Sequence, residues 1–107
     1  MEVESAKHYY GKGHNCAQAI LKAFQSKFNI SDRQIEDAST LGRGKAKNGV
    51  CGALYAAGWL LPRNKSEILD KSFQSVAGSI KCKEIRKLNK LSCANCVEFC
   101  ARFLKEE

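Results

Sequence analysis

Residues 49–61 read GVCGALYAAGWLL, thirteen positions without a charged side chain in a chain that contains 18 lysines and arginines. A stretch that is apolar on every face predicts a buried helix, and Pro62 predicts its end. Small residues four apart, such as Gly52 and Ala56, let neighbouring helices come close. The stretch is too short to cross a bilayer, which takes about twenty residues. It therefore predicts the central helix of a small protein.

The remainder of the chain also favours helix. It has a single proline and many helix-forming residues, and its 107 residues are enough for one domain with one core. Asn15 with Gln18, and Ser31 with Gln34, have the spacing of capping boxes. We therefore expect one cysteine-rich domain over 1–107, an all-α, compact bundle of six or seven short helices around a buried central helix at about 50–61. The other helices are predicted at about 2–10, 16–28, 31–41, from Ser66 to 77, at 82–88, and from Ser92 or Asn95 to about 105.

The charge pattern limits the classes of partner. The net charge is +7, which attracts anions of any kind. The predicted sixth helix is the most basic, but it has neither interleaved aromatic residues nor a groove-binding motif, so nucleic-acid binding is not expected. The N-terminal MEVESAKHYYGKG lacks the pattern of a secretory signal. We therefore expect a cytoplasmic protein without membrane contact, in a compartment that keeps thiols reduced.

Six cysteines in a reducing compartment indicate metal or redox chemistry before structural disulfides. All but Cys100 fall near a predicted helix start, where free N–H groups and the helix dipole favour negative charge. Such thiols are expected to ionise readily, and a thiolate is both a nucleophile and a metal ligand. Gly49 and Gly52 around Cys51 permit close approach of a ligand. The candidate thiols are Cys16, Cys51, Cys82, Cys93 and Cys96.

A purely structural interpretation also fits part of this pattern. Cysteine is among the most buried residue types, and Cys93, Cys96 and Cys100 form one apolar stripe with Val97. Cys100 lies deep in its helix and is predicted to be a core residue. His14 lies two residues before Cys16 and could act as a ligand or a base. Its glycine-rich turn favours a solvated surface position instead.

The combination of NCAQ at 15–18, GVCGALYAA at 49–57, a lone Cys82 and a late cysteine followed by VEF resembles a known family. It is similar to the small helical redox-active proteins named for their C–GCAxxG–C–C cysteine pattern. The resemblance runs from about Tyr10 to Phe103. It implies that the four characteristic cysteines fall on Cys16, Cys51, Cys82 and Cys96. Cys93 and Cys100 would then be additional thiols.

The leading hypothesis is that these cysteines converge on one redox-active centre. In one version Cys16, Cys51, Cys82 and Cys96, or Cys93 in place of the last, ligate an iron–sulfur cluster or a metal for electron transfer. In another no cofactor binds, and Cys51 attacks while Cys16 or Cys82 resolves a disulfide. The alternative is a zinc-braced binding module without a redox role. Both an oxidoreductase and an electron carrier fit this pattern.

Cofactor and partner contacts are predicted at the start of the central helix. Arg43 and Lys45 precede Cys51 and could hold an anion beside it, together with Gly49 and Gly52. The expected partner is a redox protein or a small anionic substrate. Helices rich in small residues also form dimer interfaces, so a homodimer is among the expectations.

Overall fold

The computed structural model describes residues 2–40 and 49–106. Within them the chain forms eight α-helices and no sheet, which confirms the predicted all-α bundle. A short 3-10 helix over Ala38–Thr40 follows the fourth helix. The helices are α1 (Glu2–Tyr10), α2 (Cys16–Ala23), α3 (Gln25–Phe28), α4 (Asp32–Asp37), α5 (Gly52–Leu60), α6 (Arg63–Ala77), α7 (Cys82–Leu88) and α8 (Cys93–Lys105).

The additional helix arises because the predicted helix at 16–28 is divided at Phe24. This residue leaves helical geometry, with φ −106° and ψ 15°, and its side chain is fully buried. The change of direction sets the Phe24 and Phe28 rings edge to face, 6.1 Å apart. Such ring pairs are favourable beyond their burial. Asn29 then ends α3 in the left-handed conformation, with φ 53°.

Helix α5 is the centre of the bundle and packs against α2, α6 and α8. Its first turns are buried as predicted, because small residues there let the three neighbours approach closely. The prediction of burial all round is wrong at the far end, where Trp59 is 54% exposed. The helix also begins at Gly52 and not at 50, because Val50 pairs with Lys81 in an isolated antiparallel bridge.

Helix α6 begins earlier than predicted. The expected cap at Ser66 is wrong, because the helix starts at Arg63 directly after Pro62. Proline has a fixed φ and no N–H, so it is well suited to the position where a helix begins. The Ser66 hydroxyl instead donates to the Arg63 carbonyl at 3.1 Å.

Helices α1 and α8 pack side by side and are joined by a shared carboxylate. Glu98 on α8 accepts from Arg102 at 2.7 Å and pairs with Lys7 on α1 at 3.1 Å. Hydrogen bonds from Arg102 and then Lys7 lower the pKa of the Glu98 carboxyl. Of the helices described, none is both long and apolar enough to cross a membrane.

Both predicted capping boxes are present, at Asn15 with Gln18 and at Ser31 with Gln34. The first does more than cap its helix. The Asn15 amide also donates to the carbonyls of Ala38 and Ser39, at 3.0 and 3.1 Å. It therefore fixes the start of α2 against the 3-10 helix, whereas the Ser31 cap is local and exposed.

The two caps give a matched stability test. Asn15→Ala removes a cap and two long-range hydrogen bonds, and we expect it to lower the free energy of unfolding by about 2–3 kcal/mol. Ser31→Ala removes only a cap and should cost about 1 kcal/mol. Urea denaturation followed by circular dichroism measures both values. Equal losses would show that the contacts of Asn15 with the 3-10 helix contribute nothing.

Candidate functional site

The starts of four helical segments meet around one cavity of about 400 Å³. Four thiols line it: one from the start of α2, one from the residue before α5, and one each from the starts of α7 and α8. Sulfurs that are up to 77 positions apart in the sequence thus share one space. The described lining residues are Tyr10, Gly13, His14, Asn15, Cys16, Cys51, Cys82, Arg86 and Cys93.

Cys51 and Cys82 are brought together by the backbone just before their helices. Val50 and Lys81 form the antiparallel bridge, and the Cys51 N–H donates to the Ile80 carbonyl at 2.8 Å. The two chain segments therefore run side by side as they enter α5 and α7. The Cys51 and Cys82 thiols therefore lie at the same end of the bundle.

The turn before α7 is held by a buried serine. Gly78 adopts φ 87°, and a Cβ atom there would come within 2.7 Å of the Leu88 side chain, so this position requires glycine. The Ser79 hydroxyl then donates to the Glu84 carboxylate at 2.6 Å and accepts from the Lys81 N–H at 3.1 Å. These bonds fix the first turn of α7 and with it the position of Cys82.

Cys16, Cys51 and Cys96 form a chain of interacting thiols. Hydrogen bonding to Cys51, followed by burial and the charge of Cys51, raises the pKa of the Cys16 thiol. For Cys51 the hydrogen bond from Cys16 lowers the pKa. It is outweighed by the bond to Cys96, by burial and by the charge of Cys96, which together raise the pKa of Cys51 to about 12.

The expectation that helix starts make the thiols ionise readily is wrong for Cys16, Cys51 and Cys82, whose pKa values are raised. Backbone N–H groups at Ala17 and Ala53 do favour the Cys16 thiolate, but burial and neighbouring thiols dominate. Burial also raises the pKa of Cys82, against the opposing effect of Arg86. Here the loss of hydration destabilises the thiolate by more free energy than the few aligned N–H groups contribute to stabilising it.

Cys93 has a different environment at the outer side of the cavity. It is the only partly exposed thiol among the described cysteines. The Arg86 guanidinium lies 4.0 Å from its sulfur, and the Tyr10 hydroxyl hydrogen-bonds to it. Burial and then this bond raise the pKa of Tyr10 to about 12, so the hydroxyl keeps its proton and can donate.

The two remaining thiols lie on the core side. Cys96 is 2% exposed and interacts with Cys51. It is not among the described residues that line the cavity. Cys100 is fully buried in the core, where burial raises its pKa. The cavity thus takes Cys93 as its fourth lining thiol, where the family resemblance implied Cys96.

The predicted cofactor contacts are only partly placed. Arg43 and Lys45 lie outside the described residues. Gly49 has φ 73° and Gly52 is buried in the first turn of α5, and the described lining of the cavity includes neither. In residues 2–40 and 49–106, no group of three or more His, Cys, Asp or Glu side chains is arranged to hold a metal ion.

Besides Gly13 and Asn15, three cavity residues with functional side chains, His14, Arg86 and Tyr10, are not among the site residues predicted from the sequence. His14, expected at the surface, is half-buried, and its Nδ1 atom is buried with no hydrogen-bond partner among the described residues. The sequence predicts Arg86 only as one charge of the basic sixth helix. It follows Cys82 by four positions, which places both on one helix face, and that spacing could have identified it. No local signal marks Tyr10, because its contact with Cys93 joins the two ends of the chain.

The raised thiol pKa values predict a loss of stability at alkaline pH. Above about pH 9 the unfolded chain releases thiol protons, while folded Cys51 keeps its proton until about pH 12. The free energy of unfolding of the reduced protein should therefore be nearly constant between pH 7 and pH 9 and fall above pH 9. Each such thiol contributes at most about 1.4 kcal/mol per pH unit.

Urea unfolding of the reduced protein between pH 7 and pH 11 measures this slope. Cys51→Ala should make the slope above pH 9 shallower, whatever it does to stability at pH 7. Identical slopes in the two proteins would contradict the pKa of about 12 for Cys51.

Comparison with known proteins supplies a family. The model of the family described as "Putative redox-active protein (C_GCAxxG_C_C)" matches residues 14–107, nearly the whole chain. Neither the curated proteins nor the solved structures gave a match. The matched segment contains all six cysteines and the whole cavity except Tyr10 and Gly13. The chain therefore belongs to the C_GCAxxG_C_C family.

Proposed function

We propose that this protein is a thiol–disulfide redox protein in which Cys16 and Cys51 form the reactive pair. The observation that carries the proposal is that Cys16 and Cys51 line one cavity with two further thiols and lie close enough to shift each other's pKa. Disulfide formation requires two sulfurs that can meet without rearrangement of the backbone. The family to which the chain belongs supports a redox role.

The chemistry is a balanced two-electron exchange. The two thiols of the pair give up two electrons and two protons and form one S–S bond. An external disulfide takes up both electrons and both protons and becomes two thiols. The shared contact of Cys51 with Cys16 and Cys96 makes Cys51 the sulfur through which either partner can exchange. A cytoplasmic location would keep the pair reduced at rest.

The experiment is a redox titration of the purified protein. We expect equilibration with mixtures of reduced and oxidised dithiothreitol to give a two-electron couple, and peptide mapping of the oxidised form to show Cys16 joined to Cys51. Cys16→Ser and Cys51→Ser should each abolish the Cys16–Cys51 disulfide and the two-electron couple that belongs to it. Cys100→Ala should leave it intact, because Cys100 is a core thiol. Loss of the couple only in Cys82→Ser or Cys93→Ser would overturn the assignment.

A second candidate is supported by the number of sulfurs around the cavity. Cys16, Cys51, Cys82 and Cys93 come from four separate segments, which is a donor set that iron–sulfur clusters use. A cluster held there would supply one-electron transfer. The protein would contribute the four thiolates, with Arg86 beside them as a compensating positive charge.

Anaerobic purification separates the candidates. Iron and sulfide in equal amounts, with visible absorbance that is lost in Cys82→Ser, would favour cluster ligation by the cavity thiols. Stoichiometric zinc without a two-electron couple would favour a zinc-braced binding module. Metal-free protein with the Cys16–Cys51 couple supports the dithiol function.

A further inference from the structure

The outer half of the cavity has the features of a small-molecule site. Its volume of about 400 Å³ lies in the range typical of ligand pockets. The described lining residues include a guanidinium but no carboxylate. The buried Nδ1 atom of His14 also has no partner in the described part of the protein, so a polar ligand group would satisfy it. These observations favour an anionic ligand.

Cys93 is placed to react with such a ligand. It is more exposed than the cavity thiols Cys16, Cys51 and Cys82. Its sulfur lies close to the Arg86 guanidinium and to the Tyr10 hydroxyl. Cys82 is close enough to interact electrostatically with both Cys93 and Cys16. The described lining of the cavity therefore has one partly exposed thiol, Cys93, and three buried ones.

We propose that the substrate of this cavity is a small disulfide that carries a carboxylate, bound by Arg86 and attacked by Cys93. The inference rests on the proposed thiol–disulfide function and specifies its substrate class. The Cys93 thiolate, whose proton goes to solvent, attacks one sulfur of the ligand. The ligand S–S bond breaks, a mixed disulfide forms on Cys93, and the other half leaves as a thiolate.

The second step releases the remaining half of the ligand. Cys82 attacks the Cys93 sulfur, and the bound half leaves as a thiol with the Cys82 proton. A Cys82–Cys93 disulfide results, which the buried Cys16–Cys51 pair can reduce by a further exchange. No other oxidant or reductant is required, because the two electrons come from the protein thiols and go to the ligand disulfide.

The test compares two disulfide probes, of which one is anionic and the other is neutral. Dithiobis(nitrobenzoate) carries carboxylates, whereas dithiodipyridine is uncharged at neutral pH. We expect Arg86→Gln to lower the ratio of the two rate constants, anionic over neutral, by roughly tenfold, since charge-assisted contacts are the strong ones. Lys83→Gln makes the same charge change on the same helix outside the cavity, and should leave the ratio within about twofold, as surface charges are screened.

Two further variants locate the reacting sulfur. Cys93→Ser should abolish the fast phase with both probes, and Cys82→Ser should trap a mixed disulfide on Cys93 that mass spectrometry detects. A fast phase that persists in Cys93→Ser, or an equal slowing of both probes in Arg86→Gln, would overturn the proposal. If the Cys16–Cys51 couple is absent while Cys93 still reacts selectively with the anionic probe, only the proposed pair fails.

Discussion

The site depends on a very short piece of backbone pairing. The bridge between Val50 and Lys81, with the bond from the Cys51 N–H to the Ile80 carbonyl, makes α5 and α7 start side by side. These helices begin thirty residues apart in the chain and are separated by the long helix α6. Without this pairing, the Cys51 and Cys82 side chains would not be held at the same cavity.

Two opposing effects, burial and helix geometry, set the pKa values of the thiols in the site. Helix starts supply N–H groups that favour a thiolate, and these act on Cys16 through Ala17 and Ala53 and on Cys51 through Leu54. Burial acts in the opposite direction, as do Cys51 on Cys16 and Cys96 on Cys51, and together these effects are larger. Cys16 and Cys51 therefore rest as neutral S–H groups, whereas the outer side of the cavity supplies a cation and a hydroxyl donor.

The sequence was most informative where the determinants are local. The capping boxes and the apolar stretch at 49–61 follow rules that act over a few residues. The structure has both capping boxes as predicted, and it has the predicted central helix with its first turns buried, although Trp59 near its end is exposed. The division at Phe24 follows from core packing, which those rules do not include. The choice between Cys93 and Cys96 as the cavity thiol is set by the rotation of α8 about its axis, and buried residues such as Val97 and Leu104 fix that rotation.

The exposed end of α5 has a practical consequence. Trp59 is the single tryptophan of the chain and lies eight residues beyond Cys51 on the same helix, roughly 12 Å away at 1.5 Å per residue. Its indole borders surface clefts against Leu21 and Ser66 and is remote from the sulfurs. Tryptophan fluorescence should therefore change little when the thiols are oxidised, so it can follow unfolding of the bundle without interference from the oxidation state.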